Sequence, residues 1–252
     1  MLYHLNSLRL AAHYTAAQPH FIVVLGMHRS GTSCATKILN LMGASFGRTV
    51  VDQPALDNGE IHWESANTIW INDVVLKRTG GSWDRPPPTL SFTSRDRWRC
   101  RRFLWEYAGV EVGLVKDPRM VLTYDLWREV MPSHSIVACI RHPLNVARSL
   151  EKRDGIALRD GLELWRRYNQ DLLDTIKASS GFLGFDFDQG GDGATRLATS
   201  AAERFNLKVT QEALDHYTVD AHHHSETDEL PSDIAQLYAE LKQRINHGVS
   251  NV

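Results

Sequence analysis

Cysteine is scarce in this chain. Only Cys34, Cys100 and Cys139 occur, and an odd, widely spaced set without a CxxC pair argues against a disulfide framework or a cysteine-based zinc site. That usage fits a reducing compartment, so a cytoplasmic location is expected. Long apolar runs are missing too: no stretch approaches the ~18 residues a membrane span requires. The opening segment, MLYHLNSLRLAAHYTAAQ, interrupts its leucines with His4, Asn6, Ser7 and Arg9. It therefore lacks the continuous core of a signal peptide. Leu5, Leu8 and Ala12 stand at helical spacing, which predicts a short helix lying on the domain. Nor is there an excess of one charge: the formal net charge of -2 gives no global field for nucleic acid or an anionic membrane. The local cluster Arg97, Arg99, Arg101 and Arg102 reads as the solvated face of a helix.

What is present is an alternation of buried strands and amphipathic helices. With 252 residues, the chain is long enough for one sizeable core. Phe21–Leu25, Val112–Val115, Ser135–Ile140 and Phe182–Phe187 are short apolar runs, as strands covered on both faces should be. Between them, helices are predicted from Ile38, over Ser65–Lys77 with Ser65 as cap, over Ser94–Tyr107, over Val121–Val130 and from Pro143. A long amphipathic helix follows through Leu164, Trp165, Tyr168 and Leu172. Residues 44–63 read as a loop over the sheet's edge. The Gly190–Gly193 run reads as a loop leading to a helix over Arg196–Arg204, and Leu230–Ile245 as a closing helix. The expected fold is α/β, a three-layer arrangement with a mainly parallel central sheet flanked by helices. One domain over 1–252 is expected, with an extension over 1–20 and a helical portion from about 190.

The chemistry concentrates at two strand ends. Gly26, Met27, His28, Arg29, Ser30, Gly31, Thr32 and Ser33 follow the first strand and open a helix. In that setting, successive backbone N–H groups and the helix N-terminus converge on an anion. A nucleotide-hydrolysing loop reads GxxxxGK followed by Ser or Thr. Here the glycine spacing is kept, Thr32 stands in the lysine's place, and the cation comes earlier, at Arg29. A kinase or ATPase thereby loses the group that reaches β- and γ-phosphates beside magnesium. The second site is at Arg141, which ends a buried strand where ligands gather in open α/β sheets. Ser149 lies eight residues on, along the helix opened by Pro143. Both could reach one phosphate, with Arg141 supplying a charge-assisted fork.

Together the two sites resemble the sulfotransferases that use 3′-phosphoadenosine-5′-phosphosulfate. The resemblance is closest to bacterial members reading GMHRSGTS, DNxxGxxES, KDPR and RHPxxVAxSL. In this chain these are Gly26–Ser33, Asp57-Asn58 through Glu64-Ser65, Lys116–Arg119 and Arg141–Leu150. Ile61 stands where the second motif has glycine. The resemblance implies a P-loop-like fold, with His28, Arg29, Ser30, Gly31, Thr32 and Ser33 on the 5′-phosphosulfate. It also implies Arg141 and Ser149 on the 3′-phosphate, with adenosine 3′,5′-bisphosphate as product and no metal. Arg29 is the expected partner of the leaving phosphate and the sulfuryl oxygens.

The acceptor, a small molecule or a glycan, needs a base for its proton. Glu64 is the first candidate, His62 the second and Asp117 the third; Lys116 and Arg119 orient Asp117 or stabilise charge. His222, His223 and His224, near His216, Glu226 and Asp228, do not share a helix face and read as a solvated loop without a metal. Of the seven tryptophans, most are expected to pack in the core, with Trp63 and Trp83 as acceptor-site candidates. Two other readings remain open: a P-loop small-molecule kinase, and a catalytically inactive nucleotide-binding module.

Overall fold

The computed structural model describes residues 19–48, 63–217 and 229–247. The N-terminal helix predicted around Leu5 and the histidine cluster at 222–224 lie outside these residues. So do His62 and the Asp57–Ile61 part of the second motif.

Four strands form one sheet: β1 (His20–Leu25), β2 (Val112–Lys116), β3 (His134–Ile140) and β4 (Phe182–Asp186). Their order is β2-β1-β3-β4, and every pairing is parallel. Alternation along β1 explains the layers. Phe21, Val23 and Leu25 enter one core cluster with Trp127, Trp165 and Leu241. Ile22 and Val24 enter the opposite one with Ile38, Leu39 and Ala198. Both faces are therefore dry, which is why the strands read as continuous apolar runs rather than alternating ones.

The helices are α1 (Thr32–Leu41), α2 (Ala66–Arg78), α3 (Ser94–Leu104), α4 (Met120–Arg128), α5 (Pro143–Asp154), α6 (Leu158–Ala178), α7 (Gly190–Phe205), α8 (Gln211–Asp215) and α9 (Ser232–His247). Ser65 caps α2 by accepting from the Asn67 amide, as its position predicts. Thr93 and Asp96 close α3 with reciprocal bonds. Helix α7 begins earlier than expected. The Gly190–Gly193 run forms its first turn, and a Cβ at Gly193 would lie 2.8 Å from the Asp186 carbonyl, so glycine lets the turn close onto the end of β4. Strand β2 is at the sheet's edge, and Ser45 covers it: Leu114 N donates to Ser45 O at 2.8 Å. Among the described residues, no helix is long and apolar enough to cross a membrane.

The three cysteines are free. Burial pushes the thiols of Cys34 and Cys100 up to about 12, from an ordinary value of 9.0, and raises Cys139 as well. A neutral buried thiol contributes stability fully below its unfolded pKa and loses it as pH rises through the folded one. The native chain should therefore resist iodoacetamide at about pH 8 and label only after denaturation; equal labelling rates before and after would contradict this.

Candidate functional site

The strand order reverses between β1 and β3: the chain passes from β1 to β2 on one side, then returns to β3 on the other. A crevice opens at the carboxyl ends of strands at such a switch point. Register brings Leu25 beside Ala138, so the loop after β1 and Arg141 after β3 must meet there. They do: Arg141 Nη1 donates to the Arg29 carbonyl at 3.2 Å. Arg29 Nε donates to Ser149 Oγ at 2.8 Å. The glycine loop, Arg141 and Ser149, separated by about 110 residues of chain, form one contiguous surface.

Local strain and exclusion shape the loop. Arg29 has φ 65° and Gly31 φ 81°. Gly31 is pressed on the Phe187 ring, where an added Cβ would lie 2.7 Å from Phe187 Cγ. Gly31→Ala combines a left-handed backbone with a clash. It should cost about 2 kcal/mol and lower the melting temperature by about 4–8 °C. An unchanged thermal unfolding midpoint would contradict this packing. Thr32 and Ser33 start α1, so the N-terminus of that helix faces the crevice with its N–H groups. Ser30 Oγ is fully buried and makes no hydrogen bond among the described residues.

Arg141 is only 5% exposed. Burial lowers its pKa, and the Arg29 guanidinium adds to that effect against the opposing pull of Asp188. The Asp188 pair is long, Nε to Oδ1 3.9 Å, because that carboxylate is engaged by the His142 amide at 2.5 Å and Asn145 Nδ2 at 3.3 Å. The guanidinium also lies over the Phe187 ring, 4.9 Å from its centroid. Two guanidinium groups facing one crevice make it favourable ground for an anion.

A second group of charges is built around Lys116, at the end of β2. Its ammonium donates to Ser33 Oγ at 3.1 Å and to Glu64 Oε1 at 2.6 Å, and the side chain is 1% exposed. Arg119 reaches Glu64 at 3.7 Å, Asp73 at 2.7 Å and Asp117 at 3.1 Å. Burial works against the charge on Arg119, but Asp117, Asp73 and Glu64 outweigh it and raise its pKa. Asp117 is fully buried, which pushes its pKa up against the Arg119 charge, and Asn72 Nδ2 holds it at 2.8 Å. Its surroundings make it an anchor for Arg119 and α2 rather than a group open to an acceptor.

The glycine loop and the Lys116 group line a cavity of about 220 Å³, formed by His28, Arg29, Thr32, Glu64, Trp83 and Lys116 together with Pro118, Arg119 and Arg153; Arg141 and Ser149 lie outside its lining. His28 packs on Trp83 in a tilted pair, with centroids 4.5 Å apart and planes 47° to one another, and Arg153 lies 5.7 Å from the same indole. Trp83 is thus on the cavity wall. Trp63 packs away from it, stacked on Phe46 with Lys37 over its ring. A larger cleft, about 650 Å³, is elsewhere, between α4, the start of β3 and the end of α6, and includes none of these groups.

The sequence placed Arg29, Arg141, Ser149 and Glu64 at the crevice but missed Phe187, Asp188 and Tyr217. Tyr217 donates to the Phe187 carbonyl at 3.1 Å. Phe187 and Asp188 follow the last strand, so the strand-end rule that singled out Arg141 would have found them.

The fold and the crevice define a P-loop-like α/β protein with a surface suited to anions at its switch point. No family model and no curated protein matches the chain. Among solved structures, the sulfotransferase domain of the Synechococcus PCC 7002 olefin synthase is similar, with 14% identity and a TM-score of 0.55 over 89% of this chain and 95% of that one. The sulfotransferase domain from the curacin biosynthetic pathway gives 15% identity and a TM-score of 0.56, covering 89% of this chain and 98% of that one. The chain has the fold of these sulfotransferase domains.

Proposed function

We propose that the protein is a sulfotransferase that takes a sulfuryl group from 3′-phosphoadenosine-5′-phosphosulfate and places it on an acceptor hydroxyl or amine. The observation that carries this reading is the buried Arg141 in contact with the backbone of a glycine loop that has no lysine. A loop serving magnesium-bound triphosphates would need that lysine. Instead the cations suit two separate anionic ends. Fit to the nucleotide is supported by Ser30 Oγ, buried and without a hydrogen bond among the described residues, and by the N-terminus of α1 at the crevice.

In this reading, Arg141 and Ser149 hold the 3′-phosphate. The amides of Ser30 to Ser33 and the hydroxyls of Thr32 and Ser33 hold the 5′ end. Arg29, bonded to Ser149, lies between the two and serves both. When bound, the nucleotide supplies the sulfuryl group and takes away the electron pair of the broken S–O bond. Glu64 takes the acceptor's proton as the acceptor oxygen or nitrogen bonds to sulfur. Lys116 faces both Ser33 and Glu64. Proton uptake by Glu64 cancels one negative charge beside the ammonium, which strengthens its hold on charge at the loop. Positioning and fixed charge carry the reaction. His62, beyond the described residues, is the reserve candidate for base.

The test is incubation with isotopically labelled donor and a panel of sugars, phenols, amines and cell extract, read by mass spectrometry for a sulfated product. Label transfer to an acceptor supports the reading. Magnesium-dependent ATP consumption with no label transfer contradicts it.

A further inference from the structure

Four of the seven tryptophans pack in or against the core, as expected of most of them, and three are exposed. Trp70 is 51% exposed, Trp98 56% and Trp105 45%. All three lie on α2 and on α3 with the turn that follows it, around an open cleft of about 450 Å³. The cations there are ordered around the rings: Arg99 lies 4.9 Å from the Trp70 centroid and Arg102 5.7 Å from that of Trp98.

Helical spacing places Arg95, Trp98, Arg102 and Trp105 on one stripe, three, four and three residues apart. All four are exposed. Residues 94–107 hold five arginines against two carboxylates, in a chain whose net charge is -2. Asp96 is buried between Arg78 and Arg99 and Arg97 is paired with Glu129; Glu106, which accepts from Asn67, keeps its charge against the exposed Arg95, Arg101 and Arg102. The outward field of this face is cationic.

We propose that this face docks the protein to an anionic membrane surface, with the helix α3 lying in the interface. Indoles settle at headgroup level and arginines take lipid phosphates, a division of labour that requires no other polar group. A glycan is the poorer fit. Its hydroxyls need several hydrogen-bonding partners, and the cleft lining is otherwise Ile71, Phe103 and the mutually bonded Asn67 and Glu106. The proposal is independent of the sulfotransferase reading, because docking is read without any turnover.

The test is flotation of the full chain with vesicles of phosphatidylcholine alone or with about 30% phosphatidylglycerol, at low salt and at about 1 M salt. The expected result is binding to the anionic vesicles only, released by salt, with a blue shift of tryptophan emission. Trp98→Ala combined with Trp105→Ala should reduce partitioning about tenfold or more. Arg95→Glu combined with Arg102→Glu, at exposed positions, should abolish it, with the melting temperature unchanged. Absence of the wild-type chain from anionic vesicles would overturn the proposal. So would equal partitioning of either double variant, or tryptophan-dependent binding of a soluble acidic oligosaccharide or peptide by a chain that ignores vesicles.

Discussion

Arg141→Ala should weaken binding of adenosine 3′,5′-bisphosphate by about a hundredfold while changing the affinity for 5′-AMP by about threefold or less. The asymmetry follows from the position of the guanidinium. It is buried, Asp188 stands 3.9 Å away, and that carboxylate is committed to the His142 amide and Asn145. A phosphate arriving there meets a charge that burial has already stripped of water, so little reorganisation opposes the new bond. Removing the side chain deletes that interaction for the 3′-phosphate alone. The 5′ end is held by the amides after Arg29 and the start of α1, from which the substitution takes only the one bond to the Arg29 carbonyl. Calorimetry with both nucleotides checks this; an equal loss for the two would remove Arg141 from the 3′-phosphate.

Glu64→Gln should leave bisphosphate binding within about threefold and reduce single-turnover transfer by about a hundredfold to ten-thousandfold. Glutamine keeps the shape and can still accept from Lys116, but it cannot take a proton. A merely structural carboxylate, holding Lys116 at 2.6 Å and Arg119 at 3.7 Å, would give a different result: loss of stability with transfer surviving in the folded fraction. Rapid-quench measurement of one turnover, beside a thermal melt, separates the two. Wild-type transfer would exclude Glu64 as the base and turn attention to His62.

Much of the scaffold was legible because both faces of the sheet are dry. Phe21–Leu25 and Ser135–Ile140 have no surface to show water, so composition alone marked them. The glycines at 190–193 misled because glycine signals both a flexible loop and a close approach; here Gly193 sits against the Asp186 carbonyl. Helix α8 is five residues long and capped by Thr210, too short for periodicity to register. The tryptophans on α2 and α3 repeat with the helix but carry no mark of whether another element covers them, and none among the described residues fully does.

The crevice was half legible. Arg29 and Arg141 stand at strand ends, and strand ends of a parallel sheet converge wherever the order reverses. The Lys116–Glu64 pair was not readable as a contact, since 52 residues separate the two. It exists because Ser65 starts α2 beside the end of β2, a matter of tertiary packing. The contact between Arg29 and Ser149 carried no mark in the sequence either. The guanidinium donates to Ser149 Oγ across 120 residues of chain.

Side-by-side titration of the wild-type chain with 3′-AMP, 5′-AMP and the 3′,5′-bisphosphate, without magnesium, addresses the matter most directly. If one nucleotide spans both anion pockets, the doubly phosphorylated form should bind at least about a hundredfold tighter than either singly phosphorylated one. Three equal affinities would mean that Arg141 and the glycine loop do not grip the same molecule.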